Sequence, residues 1–231
     1  AAQKTFDEMV YSKNQTIFNL NAPTTKDGLA GIDKQRKVNK PSVKLRIYND
    51  GIGGKTVKTV KMKRNGQDRW TASVKGDLKG KYYTFDISRG ETPGVFAKAV
   101  GVNGQRGAVV DLSDTNPVGW ARDKRVPTPS TRDIIIYEMH HRDFSIDASS
   151  GLQHKGKFLA LTEPKAIEHL KSLGITAVHL LPSFDYASVD ETKLEQNKYN
   201  WGYDPLNYNV PEGSYSTNPY NPTARIREFK Q

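Results

Sequence analysis

Cysteine is absent from this chain of 231 residues, which excludes disulfide bonds and thiolate metal sites and fits either side of a membrane. Long apolar runs are lacking too: hydrophobic residues make up 35% of the sequence, and no stretch has the length of a membrane span. Serine-nucleophile motifs, phosphate-binding glycine loops and dinucleotide fingerprints are also missing. The sequence therefore predicts neither a membrane span nor a cofactor.

The net charge of +10 comes entirely from the first half of the chain. Residues 1–111 hold 21 Lys and Arg against 10 Asp and Glu, whereas residues 112–231 hold 14 against 15. A basic half is compatible with nucleic-acid binding. However, its lysines alternate with apolar residues, as on the solvated face of a sheet, and no recognition-helix, zinc-finger or ribonucleoprotein motif is present. We therefore predict no nucleic-acid partner.

Residues 1–111 show the pattern of a β-sandwich. Val43, Leu45 and Ile47 alternate with basic residues, which is the period of a half-buried strand. Similar short strands are predicted over residues 16–20, 56–63, 69–75, 80–87 and 108–110. Short strands separated by turn residues are typical of an antiparallel, immunoglobulin-like sandwich.

Two local signals refine this prediction. Asn65-Gly66 is the strongest short hairpin signal and lies between the strands predicted over 56–63 and 69–75. Val57 is out of phase with Val60 and Met62, which predicts a β-bulge.

The second half changes to a pattern of alternating strands and helices. Residues 112–132 predict an extended linker, and residues 133–231 begin with an apolar run that indicates a strand buried on both faces. A helix with Thr162 as N-cap and Gly174 after its end follows. A second buried strand is predicted from Ile175 to Leu181, and a second helix begins over Thr223–Lys230. This order predicts two βα units with parallel strands.

The most distinctive stretch is Tyr199-Asn200-Trp201-Gly202-Tyr203-Asp204-Pro205. It combines three large rings with an amide, a carboxylate and two turn-forming residues, and it lies in a connection of some forty residues between Leu181 and Thr223. Sugars present C–H faces that lie on aromatic rings and hydroxyls that need amides or carboxylates. The loop therefore predicts a carbohydrate contact, although such a loop also serves elsewhere as a lid on a core.

This stretch and its continuation, Leu206-Asn207-Tyr208-Asn209-Val210-Pro211-Glu212-Gly213-Ser214-Tyr215-Ser216, resemble the signature of type I pullulanases. These are starch-debranching glycoside hydrolases of family 13. The resemblance implies that the βα units are the start of a (β/α)₈ TIM barrel, incomplete in this chain. Residues 1–111, with Phe18 to Pro23 and the strands at Trp70 and Gly80–Ile87, resemble a family 48 carbohydrate-binding module. Asn21 occupies a position where those modules usually carry Trp, so we expect a structural spacer rather than a glycan binder.

The resemblance also assigns roles to individual residues. Tyr203 is expected to stack on the sugar whose glycosidic bond is cut, with Tyr199, Asn200, Trp201 and Asp204 as wall or hydrogen-bond partners. Glu138 and His140 are expected to be polar residues inside the barrel.

The histidines permit other interpretations. Glu138, His140 and His141 form a possible metal cluster, but the period of a strand places His141 on the opposite face, so we predict no metal site. His179 is expected to be a hydrogen-bonded histidine in the core.

Retaining glycoside hydrolysis needs two carboxyl groups about 5 Å apart. In the family these stand on later strands of the barrel, so no catalytic residue is expected in this chain and the carboxylates are expected beyond Gln231. The expected partners are an α-glucan, such as pullulan or branched dextrins, and the remainder of the barrel on another chain or after a nick. The alternatives are an isoamylase or branching relative and a non-catalytic α-glucan-binding protein.

Overall fold

The computed structural model describes residues 7–21, 42–66, 69–87 and 90–231. It divides into two units: residues 1–111 together with 207–210, and residues 112–206 together with 211–231. Ala22 and Pro23, the end of the predicted first strand, lie outside the described residues. Most of the regular structure is β-sheet, with two α-helices among the described residues.

The first unit is built from two antiparallel sheets. One has four strands in the order β1, β2, β6, β5, and the other has the order β4, β3, β7, β8 with β9 paired to β7. The strands are β1 (Met9–Val10), β2 (Gln15–Asn21), β3 (Lys44–Tyr48), β4 (Thr56–Lys61), β5 (Lys63–Arg64), β6 (Arg69–Lys75), β7 (Tyr82–Asp86), β8 (Glu91–Thr92) and β9 (Gly107–Ala108).

Both sheets contribute side chains to one core. Phe18 on β2 and Tyr83 on β7 meet edge to face, with ring centroids 5.0 Å apart. Val43, Leu45 and Ile47 are buried in the same cluster, which confirms the strand predicted from their alternation. Each such side chain stabilises the fold by about 1.5–3 kcal/mol relative to leaving it exposed.

The predicted bulge is confirmed, and the predicted strand over 56–63 is corrected. Ile47 pairs with Lys58 and Tyr48 pairs with Thr56, so Val57 is the extra residue. The strand breaks at the buried Met62. Its first part, β4, joins one sheet, whereas β5 pairs with β6 in the other. The hairpin at Asn65-Gly66 therefore joins only β5 to β6.

The second unit contains two parallel strands joined through a helix. The strands β10 (Ile136–Met139) and β11 (Ala177–Leu180) pair in parallel. The helix between them is α1 (Pro164–Ser172), and the later elements are β12 (Phe184–Tyr186), β13 (Pro205–Pro211) and α2 (Pro222–Lys230). Residues 207–210 of β13 belong to the first unit. Within the described residues, no helix is long and apolar enough to cross a bilayer.

Several details of the second unit differ from the sequence predictions. Glu163, not Thr162, precedes the first turn of α1, and Thr162 ends a 3₁₀ turn over Phe158–Thr162. The linker predicted over 112–132 is not uniformly extended, because it contains 3₁₀ turns at Leu112–Thr115, Trp120–Arg122 and Thr131–Asp133. The strands are not buried on both faces: Ile136 and Val178 are exposed.

Glu8 is a buried acid in the first unit. Its side chain is 1% exposed; Oε2 accepts the Phe96 N–H at 3.1 Å, and Oε1 has no hydrogen-bond partner. Burial raises the pKa of Glu8 to about 7. Because the folded pKa lies above the unfolded one, the contribution of Glu8 to stability is complete below about pH 4.5 and is lost as the pH rises through about 7.

We predict that Glu8→Gln removes this pH dependence. In urea denaturation at pH 5 and pH 8, the wild-type first unit should lose up to about 3 kcal/mol of unfolding free energy at the higher pH, and the variant should lose much less. Asp50→Asn, at an exposed acid of the same unit, is the control and should behave as wild type. Equal losses in Glu8→Gln and wild type would contradict the prediction.

Candidate functional site

The seven-residue aromatic stretch forms an exposed surface loop. Tyr199, Trp201 and Tyr203 are 57–58% exposed, and the rings of Trp201 and Tyr203 lie with centroids 5.6 Å apart at 72°. The ring of Tyr199 lies 5.2 Å from that of His140. Side chains with this much apolar ring surface in water are candidates for ligand contact.

Gly202 makes this exposure possible. Its φ is +94°, and a side chain there would overlap the carbonyl of Pro182. Only glycine adopts this backbone conformation at such a close approach without strain. The turn at Gly202 therefore rests on Pro182, just after β11, and directs its two neighbours, Trp201 and Tyr203, toward solvent.

Asn200 holds the loop from inside. This residue is 7% exposed, and its side-chain Oδ1 accepts the Gly202 N–H at 2.5 Å. Its Nδ2 donates to Ser188 Oγ, and its carbonyl lies 2.6 Å from His140 Nε2. In the folded chain, the amide of Asn200 thus bonds to protein groups.

His140 joins the loop to the carboxyl end of β10. Its Nδ1 accepts the Asp143 N–H at 3.3 Å, so the ring proton lies on Nε2 and is donated to the carbonyl of Asn200. The Tyr215 hydroxyl lies 3.2 Å from the same nitrogen. His140 follows β10 and Pro182 follows β11, and both residues contact the aromatic loop. Both parallel strands therefore end next to this loop.

Asp204 is exposed and accepts a hydrogen bond of 2.6 Å from Ser188 Oγ. This bond is the main cause of a lowered pKa at Asp204, with a smaller contribution from Asn200. The carboxylate therefore remains ionised at neutral pH, and part of its bonding capacity is used within the loop.

Glu138 and His179 face each other across the parallel pair. Their side chains are 3.2 Å apart and both are exposed. His179 was expected to be a core histidine; in this chain it is exposed, because no described residue covers this face of the two strands. His140 and His141 are both buried because the strand ends at Met139 and its alternation of faces ends with it.

His141 is surrounded by aromatic rings. The rings of Phe158 and Tyr215 lie 4.9 Å and 5.3 Å from it, and its Nε2 lies 2.9 Å from Ser183 Oγ. Burial lowers the pKa of His141 to about 4, and His140 acts in the same direction. His141 is therefore neutral at physiological pH and packs as an aromatic side chain.

The second unit also contains a cluster of buried charges. Carboxylate atoms of Asp185, Glu191 and Glu212 lie within 4.8 Å of one another, and all three side chains are buried. Arg225, which is fully buried, contacts Asp185 and Glu191 at 2.9 Å each. A side chain on Gly213 would overlap both Glu191 and Arg225, so glycine is required there.

Glu212 takes no part in the Arg225 ion pairs. Its two oxygens accept the N–H groups of Tyr186 and Ser214 at 2.9 Å each. Burial, together with the negative charges of Glu191 and Asp185, raises the pKa of Glu212 to about 8. A proton on Glu212 lowers the excess negative charge of the cluster.

Among the described residues, these three carboxylates lie close enough together to bind one metal ion. Oxygen ligands of this kind suit Ca²⁺ or Mg²⁺. However, the Arg225 guanidinium already binds two of the three carboxylates, and Glu212 accepts two backbone N–H groups. The arrangement therefore fits a buried ion-pair network better than a cation site.

A groove of about 300 Å³ lies in the same unit. Its wall includes the basic side chains Arg142, Lys155, Lys157 and Lys198 together with Tyr215. Lys157 Nζ donates to the Ser214 carbonyl at 2.7 Å, and burial lowers the pKa of this lysine. The groove thus shares Tyr215 with the network that supports the aromatic loop.

Comparison with known proteins shows which class of protein has this arrangement. No family model matches the chain. The pullulanase of Bacillus subtilis is 37% identical over 235 residues, which cover 96% of this chain and 30% of that protein. The pullulanase of Paenibacillus barengoltzii, solved with maltohexaose and α-cyclodextrin, has a TM-score of 0.84 at 44% identity, covering 95% of this chain and 34% of that one. Over nearly its whole length, this chain matches the N-terminal region of the type I pullulanases.

The resemblance seen in the sequence is thereby confirmed for the N-terminal region of the pullulanases. A third relative, the pullulanase of Bacillus acidopullulyticus, has a TM-score of 0.79 at 40% identity, covering 96% of this chain and 26% of that one. The chain thus spans about a third or less of the length of the pullulanases it matches.

The residues that support the aromatic loop were not predicted from the sequence. Ser188, Arg225, Asp185 and Glu191 carried no motif, and Glu212 and Tyr215 were included only as part of the signature run. The sequence offers one signal for these residues: several acidic side chains lie between Leu181 and Thr223. Their number does not reveal which of them pairs with Arg225.

We predict that Arg225→Met destabilises the second unit by about 3–5 kcal/mol, because it leaves Asp185 and Glu191 buried without a counter-charge. Urea denaturation at pH 7 would measure the loss. Arg227→Met is the matched control, since Arg227 is exposed on the same helix and donates to the Asp114 carbonyl. It should cost less than about 1 kcal/mol. Equal costs in the two variants would show that the ion pairs are not what holds α2.

Proposed function

We propose that this chain is the N-terminal part of a pullulanase-type debranching enzyme. The complete enzyme would hydrolyse α-1,6-glucosidic branch linkages in pullulan and dextrins by a retaining mechanism. The observation that carries this proposal is the row of exposed rings held on a fixed turn where two parallel strands end. In (β/α)₈ barrels the active site is built at that face.

The architecture supports placing the second unit at the start of such a barrel. The parallel strands β10 and β11, joined through α1, have the order of a first βα unit and a second strand, and α2 follows the long connection. Ile135, Ile136 and Val178 are 41–62% exposed. Folded proteins rarely leave apolar strands in water. We infer that the remaining barrel strands cover these faces.

The catalytic carboxyl groups are proposed to lie beyond Gln231. Retaining hydrolysis uses two carboxyl groups about 5 Å apart that reach the sugar. Within the described residues, Asp185, Glu191 and Glu212 have comparable spacing, but they are buried and bound by Arg225 or backbone N–H groups. A sugar has no access to them. This chain therefore supplies substrate contacts rather than the groups that break the bond.

The first unit is proposed to be an immunoglobulin-like sandwich that acts as a spacer. Asn21, which stands where related modules carry Trp, closes β2, and its Nδ2 is buried without a hydrogen-bond partner. Asn21 lacks the aromatic face on which a sugar ring could stack.

The proposal is tested by measuring reducing-end release from pullulan. The longer polypeptide that carries this chain together with the rest of the barrel should release maltotriose-sized products, and the 231-residue chain alone should release none. Hydrolysis by the chain alone would contradict the assignment of the carboxyl groups. Binding of pullulan without hydrolysis by the longer polypeptide would support the alternative, a non-catalytic glucan-binding protein.

A second prediction concerns Tyr203 in the complete enzyme. If its ring stacks on the sugar at the cleavage point, Tyr203→Ala should lower kcat/KM by about a hundredfold, because misplacement of about 1 Å costs that much. Tyr203→Phe keeps the ring and should cost far less. Tyr208→Ala, at an equally exposed tyrosine outside the seven-residue stretch, is the control. Unchanged activity per folded molecule in Tyr203→Ala would remove Tyr203 from the site.

A further inference from the structure

We propose that Ser188 is a positioning residue for the aromatic loop: its hydroxyl ties Asn200 to Asp204 and so fixes the direction of the rings between them. The inference rests on the proposed function for its effect on catalysis. Ser188 lies 11 residues before the aromatic stretch in the sequence, in a polar run without helix or strand periodicity.

The hydrogen bonds of Ser188 run in one direction. Asn200 Nδ2 can only donate, and it donates to Ser188 Oγ. Asp204, when ionised, can only accept, and its Oδ2 accepts from Ser188 Oγ at 2.6 Å. The serine hydroxyl is therefore the one group in this chain of contacts that both accepts and donates. Alanine can do neither, whereas threonine can do both.

The two residues that Ser188 joins are the ends of a short span. Only Trp201, Gly202 and Tyr203 lie between Asn200 and Asp204, and two of these three carry the exposed rings. Asn200 Oδ1 also accepts the Gly202 N–H, so one end of the span is fixed to its middle. Without the Ser188 hydroxyl, Asp204 loses the stronger of its two side-chain contacts and keeps only the weaker one with Asn200.

Because of where Ser188 lies, its substitution should change the geometry of the loop without unfolding the protein. Ser188 and Asp204 are both exposed, whereas the bonds from His140 to Asn200 and from Asn200 to Gly202 are buried. Removing the Ser188 hydroxyl leaves the buried bond from His140 to Asn200 in place. It releases the Asn200 side chain, which then holds the Gly202 N–H less firmly. The expected effect is a loosened ring display in a protein that remains folded.

The test compares Ser188→Ala, Ser188→Thr and wild type in the complete enzyme. Ser172→Ala is the matched control, because Ser172 is an exposed serine of the same unit whose hydroxyl bonds only within its helix, to the His169 carbonyl. The measurements are kcat and KM on pullulan, the melting temperature, and hydrogen–deuterium exchange of the segment 199–206.

We expect Ser188→Ala to lower kcat/KM by about tenfold and to speed exchange at the Gly202 amide, with a melting temperature close to wild type. Ser188→Thr should restore most of both, and Ser172→Ala should change neither. Wild-type activity together with wild-type exchange in Ser188→Ala would overturn the proposal. So would a loss that Ser188→Thr fails to rescue.

A double-mutant cycle with Asp204 distinguishes a positioning role of Ser188 from general damage to the protein. It remains informative if the Ser188→Ala variant folds poorly. If Ser188 acts through Asp204, the double variant Ser188→Ala/Asp204→Asn should lose no more activity per folded molecule than the more impaired single variant. Additive losses would contradict the proposal. If the wild-type enzyme itself fails to hydrolyse pullulan, the proposed function is wrong, and the exchange measurement still decides whether Ser188 positions the loop.

Discussion

The second unit depends on the buried ion pairs of Arg225. Moving a guanidinium and two carboxylates out of water costs several kcal/mol per ion, and only close pairing offsets that cost. Arg225 meets this requirement through Asp185 and Glu191, and it donates further to the carbonyls of Pro211 and Pro219. These contacts fasten α2 to a connection of some forty residues whose regular structure consists of the strands β12 and β13 and two short 3₁₀ turns. One side chain thus connects four points of the segment that carries the aromatic loop.

A series of hydrogen bonds between buried residues connects this cluster to the aromatic loop. Glu212 fixes the backbone at Tyr186 and Ser214, and Tyr215, next along the chain, reaches His140. His140 holds the carbonyl of Asn200, whose side chain holds Gly202. Only the last step, to the rings, is exposed. A stiff support beneath exposed rings lowers the entropy cost of binding a flexible sugar chain.

The sequence was informative wherever structure is local. The alternation of Val43, Leu45 and Ile47, the out-of-phase Val57 and the helix that ends before Gly174 each act over a few residues, and the structure agrees. Pairing between distant residues could not be predicted: Arg225 and Asp185 lie 40 residues apart, and no repeating sequence pattern relates the two positions. His179 was misplaced for another reason, since strands that are apolar throughout imply covered faces, and no described part of this chain covers them.

The aromatic loop is proposed to hold a glucose ring, and the most direct test is a crystal structure of the complete protein with maltotriose. Tyr203 should lie face to face with one glucose ring at a separation of about 4 Å. The bonds of Asn200 to Gly202 and of Ser188 to Asp204 should be unchanged by the sugar. A bound sugar that avoids Tyr203, or a Tyr203 ring packed into the protein interior, would contradict the assignment of this loop as the substrate contact.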